Sequence, residues 1–244
     1  MTNARTDVTV VLVHAAWADG SSWNKVTREL QRKGLNVVAA QIPLTSFSED
    51  VEVLRKVLRR PEGPVVLAGH SYGGAVVTAA AAGNPNVKAL VYVAAIVPDE
   101  GETVGDVFHR VPPHPRAPQL HPDVDGFLWL NVDAYRTAVA PDASSSETAL
   151  MAATQKPISL RCLGEPMTRP AWKEKPAWFL IAEKDRMVSP ETQRFTAERM
   201  KSKFVSLPVD HTPLASKPGA VAELISAAAN NCHEIEAFRG GRGH

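Results

Sequence analysis

Residues 9–14 (TVVLVH), 65–68 (VVLA) and 87–97 (VKALVYVAAIV) are runs of apolar, largely β-branched side chains with almost no polar residue among them. A strand with two apolar faces has to be covered on both, which is the situation of parallel strands in a sheet sandwiched between helices. The stretches between these runs have the matching character. Trp23, Val26 and Leu30 repeat at helical spacing behind Ser21, the expected cap, and Gly34 ends that helix. Residues 35–41 form a further strand that Ile42 and Pro43 break, and residues 48–58 set Val51, Leu54, Val57 and Leu58 on one helical stripe. Strand and helix thus alternate through the first hundred residues, which predicts an α/β fold with a mostly parallel, doubly wound sheet.

The alternation fails at Pro98. Residues 98–175 carry Pro112, Pro113, Pro115, Pro118 and Pro122, with short helical fragments at 104–111, 132–140 and 145–154. Such a stretch is too long for a loop and too broken for another strand–helix unit, so it is expected to be a small helical cap insertion over the sheet's edge. Order resumes with a strand at 176–182 (PAWFLIA), a helix at 190–200 capped by Ser189, a last strand at 204–207 and a closing helix at 217–231. The predicted core is therefore residues 1–97 and 176–234. The glycine-rich, charged end, 235–244, is expected to be disordered. A chain of 244 residues can bury one full core, and one domain is the default.

Residues 64–83 (PVVLAGHSYGGAVVTAAAAG) read as strand, sharp turn and helix, and the turn carries Gly69-His70-Ser71-Tyr72-Gly73, a G-x-S-x-G pentapeptide. In that context the serine sits on a strained turn, its hydroxyl presented at the N-terminus of the following helix, where a developing oxyanion is favoured. A hydroxyl is a poor nucleophile unaided and needs a base, usually histidine, held by a carboxylate. On a sheet of this kind the partners belong on loops after later strands. Asp185 follows the strand at 176–182 and His211 follows the last strand, so Ser71, Asp185 and His211 stand in the order nucleophile, acid, base. Asp99, just after the strand at 87–97, is the alternative acid. Asp210 is expected to bond its own loop backbone, and His14 and His70 to bond backbone around the site.

Composition narrows the partners. Lys and Arg number 27 against 26 Asp and Glu, a net charge of +1, which offers no electrostatic footprint for nucleic acid or an acidic membrane surface. Cys162 and Cys232 lie far apart and suit a reducing compartment, so the expected location is cytoplasmic. Residues 1–14 resemble neither a signal peptide nor a membrane span. No G-x-G-x-x-G follows the first strand and no G-x-x-x-x-G-K-[ST] occurs, so nucleotide binding lacks support. His109, His114 and His121 lie in the proline-rich stretch without helical pairing or a cysteine partner, and no metal is expected. The oligomeric state stays open, a homodimer included.

With Val11-Leu12-Val13-His14 and Trp23, the Gly69–Gly74 turn, Asp185 with Met187 and Val188, and Asp210-His211 in place, the sequence resembles the α/β-hydrolase superfamily over nearly its whole length. Its look is that of the small-esterase and hydroxynitrile-lyase branch. The resemblance implies an α/β-hydrolase fold, no cofactor, and an oxyanion hole made by the backbone N–H groups of Ala16 and Tyr72. Trp17 and Tyr72 are expected to line the acyl pocket. Two positions depart from the pattern. Members usually have glycine after the histidine that ends the first strand, where this chain has Ala15; the lyases carry threonine there and lysine after the catalytic histidine, where this chain has Ala15 and Thr212. The expected activity is that of a serine hydrolase cleaving a small-molecule ester (carboxylesterase, methyl esterase or lactonase type) through a Ser-His-Asp triad and an acyl-enzyme. The alternative is a non-hydrolytic member, either a lyase or a ligand-binding module.

Overall fold

The computed structural model describes residues 7–240, with side chains through Cys232. In chain order the first half holds β1 (Thr9–Val13), α1 (Asn24–Arg32), β2 (Asn36–Ala40), α2 (Phe47–Leu58), β3 (Val65–His70), α3 (Tyr72–Ala80) and β4 (Val87–Val93). Next come α4 (Val104–Phe108), β5 (Phe127–Leu128), α5 (Val132–Ala134) running into a π-turn at Tyr135–Val139, α6 (Ser145–Ala153) and β6 (Ile158–Ser159). The chain closes with β7 (Ala177–Ala182), α7 (Pro190–Arg199), β8 (Lys203–Leu207), α8 (Pro213–Ser216) and α9 (Pro218–Gly240). Six strands form one sheet in the order β2-β1-β3-β4-β7-β8, every neighbouring pair parallel.

The uninterrupted apolar runs place side chains alternately on the two faces, as the pleat requires. Val11 and Val13 of β1, Val65 and Leu67 of β3, and Phe179 and Ile181 of β7 join one core with α2, α3 and α7. Val10 and Leu12, Val66 and Ala68, and Trp178 and Leu180 join the other with α1 and α9. Each fully buried Val or Leu contributes about 1.5–3 kcal/mol of transfer free energy, so the sheet is held from both sides.

Several boundaries differ from the sequence reading for local reasons. Asp19, rather than Ser21, is the first cap: its carboxylate accepts from the Ser21 amide at 2.8 Å, and a 3-10 turn at Gly20–Trp23 precedes α1. Ser46 caps α2, accepting from the Glu49 amide, so that helix starts at Phe47. The strand predicted over 87–97 stops at Val93, because Ala94 adopts φ +45° and turns the chain away while its amide still reaches the Leu180 carbonyl at 3.0 Å. The backbone of α9 is helical to Gly240, past residue 235 where disorder was expected to begin; residues 241–244 lie outside the described residues.

The segment 98–175 is not purely helical, since β5 and β6 pair as an antiparallel ribbon, and it lies over the carboxyl ends of the strands rather than a sheet edge. The Leu128 carbonyl accepts from the Trp17 indole just beyond β1 at 2.8 Å, and the Asp142 amide donates to Asp210 beyond β8 at 3.0 Å. Val104, Leu128, Ile158, Cys162 and Ala171 all belong to the α2/α3 core, so the segment packs as part of the main body.

Between β3 and α3 the backbone has no spare room. A Cβ on Gly69 would stand 2.5 Å from the Gly73 carbonyl oxygen, and one on Gly73 would stand 2.7 Å from the Val13 and His14 carbonyl oxygens. Since backbone cannot yield like a flexible side chain, Gly73→Ala is expected to destabilise the fold by about 1–3 kcal/mol, seen as a lower urea midpoint with an unchanged slope.

Candidate active site

The strand order reverses between β1 and β3, because β2 lies beyond β1 on one side and β4 beyond β3 on the other. The crevice at the carboxyl ends of such a pair is where open α/β sheets bind ligands. Ser71 occupies it. Its φ of +52° and ψ of −122° lie outside the regions that L-residues favour, a strain of about 1–3 kcal/mol. The turn is fixed by three backbone hydrogen bonds: the Ser71 amide donates to the Val93 carbonyl at 3.1 Å, and the Ser71 carbonyl accepts from Gly74 at 2.9 Å and Ile96 at 3.1 Å.

The structure brings the three side chains read from the sequence into one hydrogen-bonded chain. Ser71 Oγ lies 2.9 Å from His211 Nε2, and His211 Nδ1 lies 2.7 Å from Asp185 Oδ2. All three are buried, at 6%, 5% and 2% exposure. Asp185 is tied down further: Oδ1 accepts from the Met187 and Val188 amides at 2.7 and 2.9 Å, and Oδ2 accepts from Gln193 Nε2 at 2.8 Å. Asp99 does not take part; it is ion-paired with Lys173 at 2.7 Å.

Gln193 escaped the sequence reading, because a glutamine on a surface helix looks solvated. It is fully buried: its carbonyl accepts from the Ala182 amide at 2.9 Å while its NH₂ reaches both Asp185 and the Val188 carbonyl. Asp50 also escaped, although a carboxylate on the apolar stripe of Phe47, Val51 and Leu54 was a visible signal. It accepts from the Tyr72 hydroxyl at 2.6 Å and the Leu44 amide at 2.7 Å. Burial pushes its carboxyl above the ordinary range despite those bonds, and burial likewise raises the Tyr72 phenol. Asp210 bonds the Thr212 amide in its own loop and also reaches Asp142 in the 98–175 segment.

Two cavities meet at this chain. A compact inner one of about 40 Å³ is walled by Ser71, Tyr72, Phe108, Leu128 and Ile158; a cleft of about 290 Å³ opens between α1 and α6. Ala16, Trp17, Met187 and His211 line both. Ala16 and Tyr72 line the inner cavity together with Ser71, and the Tyr72 hydroxyl is committed to Asp50. His109, His114 and His121 are all exposed, and His109 also lines the inner cavity. Among the described residues no three His, Cys, Asp or Glu side chains converge on a metal position.

Comparisons with known proteins bear on the family and the fold. The family model described as the alpha/beta hydrolase family matches residues 10–224, and the chain belongs to that family. The carbendazim hydrolyzing esterase of Nocardioides sp. (strain SG-4G) is 26% identical over 243 residues, which cover 89% of this chain and 98% of the relative. In fold the chain is similar to a pyrethroid hydrolase from Sphingobium faniae JZ-2 (TM-score 0.77, 22% identity, 93% of this chain and 99% of the other). It is also similar to polyneuridine aldehyde esterase (TM-score 0.78, 18% identity, 92% and 100%).

His14 and His70 support the site from below. His14 Nδ1–H donates to the Ala15 carbonyl at 2.9 Å and Nε2 accepts from the Ile42 amide at 3.2 Å, while His70 Nε2–H donates to the His211 carbonyl at 2.7 Å. Burial lowers His14 to about 4 and His70 to about 3, so both rings are neutral in the fold. Once unfolded they titrate near 6.5, so below that pH the unfolded chain binds more protons than the native one. Stability is thus complete above about pH 6.5 and falls as the pH drops, by up to about 1.4 kcal/mol per pH unit for each ring. Urea unfolding is expected to show a lower midpoint at about pH 5 than at about pH 7.5, with a smaller drop in His14→Gln.

Proposed function

We propose that the chain is a serine hydrolase that cleaves small-molecule carboxylic esters, of carboxylesterase, methyl esterase or lactonase type, through an acyl-enzyme on Ser71. The observation that carries this reading is the continuous Ser71–His211–Asp185 hydrogen-bonded chain at the wall of an apolar cavity. Among the relatives, one is named a carbendazim hydrolyzing esterase and another a pyrethroid hydrolase, which supports the same class.

The chemistry follows from the contacts. His211 Nε2 takes the Ser71 proton as Oγ bonds to the ester carbonyl carbon, and the oxyanion is held by the Ala16 and Tyr72 N–H groups. Asp185, fixed by its three donors, keeps the His211 proton on Nδ1 and stabilises the imidazolium. His211 then passes the proton to the departing alkoxide, the acyl group stays on Ser71, and water deprotonated by His211 releases the acid and restores the serine. No step calls for a cofactor. Cys162 and Cys232 are both buried and suit a reducing compartment, so we read the chain as a cytoplasmic enzyme with a small-molecule partner; no helix among the described residues is long and apolar enough to cross a membrane.

Ser71→Ala is expected to lower kcat by at least about a thousandfold and to abolish covalent labelling by a fluorophosphonate, with unfolding unchanged. A folded parent protein that takes no label would instead identify a non-hydrolytic member of the family. Asp185→Asn is expected to lower kcat by about 10⁴-fold by leaving the imidazole in the wrong tautomer. Asp99→Asn should leave kcat near the parent's in the same assay.

A further inference from the structure

The two cavities differ in size and in whether they touch Ser71, while His211 lines both. The inner one meets Ser71, Tyr72 and His211, and its walls include Phe108, Leu128 and Ile158 together with the exposed His109. The outer cleft meets His211 and Thr212 but not Ser71, and its mouth carries Asn24, Lys25 and Glu147, all exposed. In ester cleavage the acyl carbon bonds to the serine oxygen, whereas the leaving oxygen has to sit where the histidine can protonate it. The departing alcohol also has to clear the way for water, which favours the side open to solvent.

We infer that the inner cavity takes the acyl group, the outer cleft takes the alcohol, and Trp17 is the wall that limits acyl length. The substrates are then esters of a short, apolar acid with a bulkier, largely apolar alcohol. This rests on the serine-hydrolase reading above. A cavity of about 40 Å³ has room for about three or four water-sized groups, which corresponds to an acetyl-to-butyryl chain. The outer cleft, at about 290 Å³, accepts a ring system, and Leu214 and Met151 give it apolar walls.

Trp17 is built to be rigid. Its backbone has a φ of +55°, a region that bulky residues avoid, so the surrounding structure holds it there. Its indole N–H donates to the Leu128 carbonyl at 2.8 Å, and its carbonyl accepts from the Tyr135 hydroxyl at 3.1 Å. Leu128 belongs to the inner cavity and Tyr135 to the outer cleft, so the ring is fastened from the inner compartment and the Trp17 backbone from the outer one.

The test is a two-way series of esters. With p-nitrophenyl acetate, butyrate and octanoate the alcohol is constant; with the acetates of ethanol and 3-phenylpropan-1-ol the acid is constant and the leaving groups are similarly basic. The parent is expected to lose at least about tenfold in kcat/KM from butyrate to octanoate, and to prefer the phenylpropyl over the ethyl acetate by at least about fivefold. Trp17→Ala should raise the octanoate-to-butyrate ratio by at least about tenfold, while Trp17→Phe, which keeps a ring, should retain the parent's order. If the alanine variant does not fold, Trp17→Leu takes its place with the same expected direction. A parent that prefers octanoate, or a folded small-residue variant with the parent's ratio, overturns the inference while leaving ester hydrolysis intact. A parent that turns over no ester and takes no fluorophosphonate label removes the hydrolase reading, and this inference with it.

Discussion

The close approach of the β3–α3 turn to its neighbours governs most of what surrounds it. For Ser71 to stand at φ +52° with its hydroxyl against His211 Nε2, the first turn of α3 must press against the end of β1 and the returning β3 backbone, and only hydrogen atoms at Gly69 and Gly73 leave room. The segment after β4 completes the cradle, because the turn at Ala94 brings the Ile96 amide onto the Ser71 carbonyl. Positive φ values at Trp17, Ser71 and Ala94 thus gather just beyond β1, β3 and β4. Strain of that kind persists only where packing over-determines the backbone, and two buried cores on either side of the sheet supply the packing.

Most polar groups in this region are buried and paired, His70 Nδ1 being an exception, which makes their geometry unforgiving. An unpaired buried polar group costs about 1–3 kcal/mol, more if charged, so each partner is held in place by the penalty for leaving it. Asp185 has three donors besides His211, and Asp50 is bonded by Tyr72 and by the Leu44 amide. The neutral rings of His14 and His70 tie the loops after β1 and β8 to the same frame through the Ala15, Ile42 and His211 backbones. Ser71, His211 and Asp185 come from three distant parts of the chain, and these bonds fix their relative positions.

The 98–175 segment divides the space above that frame. Its ribbon closes the inner cavity through Leu128 and Ile158, and its α6 forms one side of the outer cleft. Because its apolar residues merge with the α2/α3 core, the cavity walls inherit the rigidity of the main body. The shape of both cavities is thereby set by a few side chains on connections, as is usual where a rigid scaffold carries variable loops.

The sequence by itself determined the sheet and the place of the reactive serine. Doubly apolar runs can only be buried parallel strands, and a G-x-S-x-G between such a run and an alanine-rich stretch leaves one geometry for the turn. It also brought forward His211 and a short choice of acids, since loops after later strands reach the same crevice. What it left open was decided by contacts between residues far apart in the chain. Asp185 rather than Asp99 meets His211, and Lys173 takes Asp99 instead. Gln193 is buried because α7 lies on Ala182, and nothing in a helix's own periodicity records which neighbour covers a polar side chain. The insertion's ribbon is two residues per strand, too short to leave an alternating pattern, and its pairing depends on the main body beneath it. Periodicity records the face an element buries; the partner on that face, and the cavity left between partners, exist only once the chain has closed on itself.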